Sequence, residues 1–207
     1  VLDRGAVGGA LLLSRFLVPL PLGAVAGGLL VPRLGHRWVS ALGLALAALA
    51  FWLVAGWPAH VLAVPYRIGP LGLPRLDATL ALAGFGLGLV IAPLAGAVLR
   101  AVPAAQHGVA SGLLVVARMM GMLVGVAALS AWGLHRFQQL TAHLATPLPF
   151  GMSDQEYARR LAVYTEAVRA ALRHEYRDIF LVTAAICVLA ALLAPALPHR
   201  GDSSRAY

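Results

Sequence analysis

The sequence is poor in charge and in sulfur. Only 12% of its 207 residues are charged, where a soluble domain carries about 25%. There is no lysine; all 16 basic residues are arginine, set against 8 acids for a net charge of +8. The arginines are scattered among apolar stretches, with no basic patch interleaved with aromatics, so nucleic acid is excluded as a partner. One cysteine, Cys187, lies inside an apolar run. A lone cysteine excludes a disulfide within the chain and any cysteine-based metal spacing, and a buried small hydrophobe is its expected role. What the chain has instead is 60% hydrophobic residues and a mean hydropathy of +0.83. A soluble enzyme cannot hide that much apolar surface, and disorder needs low hydrophobicity. A multi-pass membrane protein remains. The first residue is Val1, so the sequence is expected to begin inside a longer chain. The first apolar stretch has no cleavage site and is too long for a signal peptide.

Crossing about 30 Å of hydrocarbon takes roughly 20 apolar residues in a helix. Five stretches qualify: 6–31, 38–57, 78–98, 110–134 and 179–197. Trp38, Trp57 and Trp132 fall at span ends, where amphipathic rings favour the headgroup level. Arginine in the short links orients the bundle. Arg33 and Arg37 lie between the first two spans, Arg100 follows the third, and Arg200 and Arg205 follow the fifth. These are expected on the cytoplasmic side of a bacterial-type inner membrane, with the C-terminus inside.

Two outer links stand apart. Residues 58–77 carry short apolar runs around Gly69-Pro70, a pattern suited to a small hairpin. The second link has a proline-rich break at 146–151, then Ser153-Asp-Gln-Glu156, a capping-box start. Tyr157, Leu161, Tyr164, Val168, Leu172 and Tyr176 then recur at helical spacing, an apolar stripe. An outer amphipathic helix over 154–178, running into the fifth span, is expected, either projecting from the membrane or lying on it.

Small residues recur every fourth position: Gly23/Gly27, Gly84/Gly88/Ala92/Gly96 and Gly121/Gly125. Such stripes let helices approach closely in lipid, and smooth faces also permit rocking between two arrangements. Pro19, Pro21 and Pro93 interrupt helices and free backbone carbonyls. Arg118 lies about 12 Å into the fourth span, with Gly121 and Gly125 on its face. Arginine at that depth costs several kcal/mol unless it is paired or hydrated. Snorkelling to the surface is the alternative reading for Arg118, and outward snorkelling for Arg15. No acid lies inside a span; Asp77 only begins the third. The partner of a buried arginine is therefore expected on helices outside these five, or on an anionic substrate headgroup. Candidate substrate or gating residues are thus Arg118, Arg15, Gly121, Gly125 and Pro93. Catalytic and metal signatures are missing: no motif pairs Ser14, Ser40, Ser111 or Ser130 with a histidine base, His135 and His143 are too widely spaced for a metal pair, and His174/Asp178 reads as a surface contact.

Residues 28–37, Gly-Leu-Leu-Val-Pro-Arg-Leu-Gly-His-Arg, resemble the loop motif G-x-L-a-D-r-x-G-r-k of the major facilitator superfamily. Gly28, Leu30, Arg33, Gly35 and Arg37 match; Pro32 replaces the acid and His36 a basic residue. Further on, residues 84–93, Arg100-Ala-Val-Pro103, Gly108-Val-Ala-Ser-Gly112 and Arg118-Met-Met-Gly121 resemble late spans of the fourteen-span drug:proton antiporter branch. The hairpin-like link and the outward extensions are similar to the mycobacterial triacylglyceride exporters. The resemblance covers nearly the whole chain and implies the last five spans of an all-α bundle. It implies proton-driven export of a drug-like or lipid-like compound by alternating access, without a cofactor. It further implies that Arg33 and Arg37 hold helix C-termini, that the N-terminal half supplies the coupling acids, and that a lipoprotein docks at the outer extension. The rival readings are a non-transporting scaffold that binds through the outer helix, and a membrane enzyme acting on lipid headgroups.

Overall fold

The computed structural model describes residues 13–56, 67–68, 73–144 and 153–196. Trp57, most of the 58–77 link, the break at 146–151 and the arginines of the tail lie outside them. Four helices are long and apolar enough to cross a membrane, and the molecule is a multi-pass helical bundle.

Helix α1, Pro19–Ala55, is two limbs joined at Gly35. Residues 13–17 are already helical, and a Val18 N–H to Ser14 carbonyl bond of 2.9 Å carries the turn into Pro19, whose missing N–H leaves one bond of the helical ladder unmade. Gly35 has φ +80° and ψ 159°, a conformation that L side chains rarely adopt. That single residue reverses the chain, and the contacts on α2, Arg75–Arg100, record the reversal. Gly23 and Gly27 meet Phe85 and Leu89, in parallel order; beyond Gly35, His36 lies on Gly96 while Gly43 and Ala47 lie on Gly86, in antiparallel order. The one helix therefore supplies two limbs, each about 30 Å long and so long enough to cross hydrocarbon.

The glycine stripes make this packing. A Cβ added at Gly23, Gly84 or Gly88 would run into the carbonyl oxygens of Phe85, Phe16 and Leu20 respectively. On the other limb, a Cβ at Gly43 would stand 2.7 Å from the Gly86 carbonyl oxygen. Backbone lies on backbone, as small residues in lipid permit. Leu89, Val39 and Pro93 are fully buried in the seam.

A turn with a short 3-10 segment, Ala104–Gln106, leads to α3, His107–Thr141. Helix α4, Asp154–Leu193, closes the bundle and ends in a 3-10 turn, Ala194–Ala196. It packs antiparallel to the second limb of α1: Phe51 stacks on Phe180, and Cys187 joins Ala47 and Ala48 in a buried cluster. The α4 start is capped by Ser153, whose hydroxyl accepts from the Glu156 N–H at 3.3 Å, satisfying a donor with no partner inside the helix. Its 40 residues span about 60 Å, roughly twice the hydrocarbon thickness. Together with α3, of 35 residues, it forms the extended outer pair. In the other outer link, Arg67–Ile68 and Leu73–Pro74 pair antiparallel as strands β1 and β2.

Candidate functional site

The candidate residues separate into three places. Arg118, Gly121 and Gly125 lie on α3. With Leu114, Leu129 and Arg136 they follow one helical face, by the 3.6-residue period. Leu114, Gly125 and Leu129 are half-buried where most of the helix is exposed, so this face looks toward the other helices. It does not reach them over its central part. No residue of the most apolar 18-residue stretch of α3 is buried, and added Cβ atoms at Gly121 and Gly125 meet nothing within 4 Å. Arg118 is exposed. Contact resumes at the outer end: Glu175 Oε1 and Ile179 Cδ1 lie 2.9 and 3.0 Å from the Cβ position of Gly133, and Arg136 Nε donates to Asp178 at 3.3 Å. Asp178 is thus engaged across the helix pair and not by His174, as the four-residue spacing had suggested. The result is an open, largely exposed apolar face along α3 with one cation on it.

Arg15 stands elsewhere. It forms an ion pair with Asp77 at the end of the bundle opposite Gly35, tying residues 13–17 to the start of α2. The expectation that these spans offer a deep arginine no acid is corrected here for Arg15. Sixty-two positions separate the pair, and the parallel run of the two helices brings them together. Asp77 opens α2, where the helix dipole also favours an anion.

Pro93 lies in a third place, buried within α2 beside the inner loop. Its carbonyl oxygen accepts from His36 Nδ1 at 2.9 Å. Of the loop motif, Gly28 faces Ala92, whose methyl a Cβ added there would meet at an ordinary 3.8 Å, Gly35 provides the reversal, Arg33 is exposed and Arg37 is half-buried. His36, passed over in the sequence as a substituted basic position, bonds to α2. Its only sequence signal was the departure from the motif itself.

The described charges are distributed unevenly. Every described acid (Asp77, Asp154, Glu156, Glu166, Glu175 and Asp178) lies at or beyond the end of the bundle opposite Gly35, whereas Arg33, Arg37 and Arg100 cluster at the Gly35 end.

No protein-family model matches the chain. Individual relatives do. It is 51% identical over 186 residues to a triacylglyceride transporter of Mycolicibacterium hassiacum, covering 88% of this chain and 35% of that protein. It is 50% identical over 174 residues to one of Mycobacteroides abscessus, covering 80% and 34%. It is 46% identical over 202 residues to one of Mycobacterium tuberculosis, covering 97% and 38%. The chain therefore spans about a third of the length of these relatives. Over most of its own length it is a homologue of mycobacterial proteins named triacylglyceride transporters.

Proposed function

We propose that this chain is the C-terminal bundle of a major facilitator superfamily exporter that moves triacylglyceride or a similarly apolar lipid out of the cytoplasmic membrane by alternating access. The observation that carries the reading is the open α3 face, apolar residues around an exposed Arg118, in a chain about half identical to proteins named for lipid transport. A guanidinium at membrane depth demands acceptors. Ester carbonyls of a bound lipid supply them, as does a carboxylate from the N-terminal half, which would close over α3. No cofactor is required; a proton gradient supplies the energy, through acids of that other half. The arginines at the Gly35 end support a cytoplasmic position for that end, and for the C-terminal end of α4 with it. The outer helix pair then projects away from the cytoplasm, as a protected exit path for a greasy cargo and a docking face for a lipoprotein.

The test uses the full-length transporter carrying this sequence, expressed in cells whose own exporter is deleted. Arg118→Ala should abolish appearance of labelled triacylglyceride outside the inner membrane, while the protein remains inserted and monodisperse after extraction. Unchanged efflux would overturn the site assignment. Indifference to Arg118 combined with loss of function on charge reversal at Arg159, Arg160, Arg169 and Arg173 would point to a scaffold in its place.

A further inference from the structure

The inner end of the bundle is fastened by an imidazole. His36 Nδ1 lies 2.9 Å from the Pro93 carbonyl oxygen. A carbonyl only accepts, so Nδ1 carries the proton, and in the neutral ring Nε2 is left as an acceptor. That second nitrogen is buried and has no hydrogen-bond partner among the described residues; the same is true of the Ser40 hydroxyl oxygen one turn further along α1. The ring fits only because residue 96 is glycine: a Cβ there would stand 2.7 Å from His36 Cε1. Beside it, Gly35 holds the positive φ that turns the chain.

Among the described residues, the charges at this end are all of one sign. Arg33 and Arg37 flank it on α1, and Arg100 lies one turn beyond Gly96 on α2. The end of α4 that reaches this level, Ala194–Ala196, carries no charge. Among the described residues, no carboxylate lies at this end. A proton added at Nε2 would create a buried cation with no acceptor and no counter-charge among the described residues, the least tolerable state for an ionised group in a low-dielectric site.

We propose that His36 is a positioning residue, a proton-operated latch. In its neutral form, protonated on Nδ1, it holds the Gly35 reversal against the proline break of α2; protonation of Nε2 expels the ring from Gly96 and frees the loop. The latch rests on the inner-end geometry alone. Its use as an inner gate, which a proton arriving at the cytoplasmic side would open, rests on the transport reading.

The experiment takes the full-length transporter with every cysteine replaced by serine. A single reporter is then introduced, either Val39→Cys, fully buried beside the latch, or Leu34→Cys, an exposed reference. The ratio of their labelling by a water-soluble maleimide, taken at each pH, cancels the pH dependence of the thiol itself. With His36 present the ratio should rise about tenfold between about pH 7.5 and about pH 5.5. With His36→Gln, which donates but does not titrate, it should stay flat. A flat ratio in the His36 protein, or the same rise in His36→Gln, overturns the latch. Nitrogen-15 spectra of histidine-labelled protein, assigned by loss of one signal in His36→Gln, give a second readout. They should place the proton on Nδ1 at about pH 7.5, and a proton on Nε2 there is equally fatal. Neither readout involves transport, so failure of the transport reading and failure of the latch are told apart.

Discussion

Two adjacent glycines offer a sharp test of backbone-on-backbone packing. Gly27 and Gly28 sit side by side in the first limb of α1. A Cβ built at Gly27 lies 2.5 Å from the Leu89 carbonyl oxygen and 3.1 Å from both its carbonyl carbon and its Cα, whereas one at Gly28 finds only the Ala92 methyl at 3.8 Å. Real Cβ atoms essentially never come under 3.0 Å, so Gly27→Ala must push two helices apart by about half an ångström or bend one of them. The obstacle is backbone and cannot rotate away. Overpacking of this kind costs about 1–3 kcal/mol. Both substitutions gain the same helix propensity, about 1 kcal/mol, which cancels in the comparison. Gly27→Ala should therefore be about 1–3 kcal/mol less stable than Gly28→Ala. The assay is thermal unfolding of the full-length protein in detergent, followed by its monodisperse fraction. Gly28→Ala should match or exceed the parent, and Gly27→Ala should melt clearly below it. Equal midpoints for the two variants would refute the packing and, with it, the parallel contact of the first limb with α2.

The Arg15–Asp77 pair, with side chains 39% and 19% exposed, is partly screened, and its coupling should amount to about 0–1 kcal/mol. Arg15→Gln and Asp77→Asn should each lower the melting midpoint, the double variant by less than their sum, with lipid efflux retained; loss of efflux in a well-folded Arg15→Gln protein would put Arg15 back on the substrate path. Removing the α4 cap by Ser153→Ala should cost about 1 kcal/mol. Faster protease cleavage confined to the first turns of the outer helix would record it, and unchanged cleavage would mean that the cap contributes nothing.

The crossings were legible because hydropathy and length alone decide them in lipid. Their ends were less so. The link 32–37 reads as a loop from its proline, glycine and arginines, yet helix runs up to Gly35 from both sides, since one residue at positive φ suffices to turn the chain. The outer start of α4 was readable to the residue, because a capping box is a local signal carried by Ser153 and Glu156. Pairings between distant residues were not. Nothing near Arg15 announces Asp77, and nothing near His36 announces Pro93; both depend on which helices run side by side. The glycine stripes looked alike in sequence, but Gly23/Gly27 and Gly84/Gly88 are closed against each other while Gly121/Gly125 stand open. Spacing tells which residues share a face and is silent on what that face meets.

The isolation of α3 bears on how the protein is made. A helix that touches its neighbours mainly near its ends gains little from them as it leaves the ribosome, so it must partition into the bilayer on its own merits. Arg118 weighs against that step by up to about 2.5–3.5 kcal/mol. The leucines, valines and methionines around it, most of them exposed along α3, each return a fraction of a kcal/mol in the same transfer. The greasiness of this helix is then set by the demands of biosynthesis as much as by those of a cargo. Polar substitutions along it should first show as failed insertion, in synthesis and topology, before they show as any defect in lipid movement.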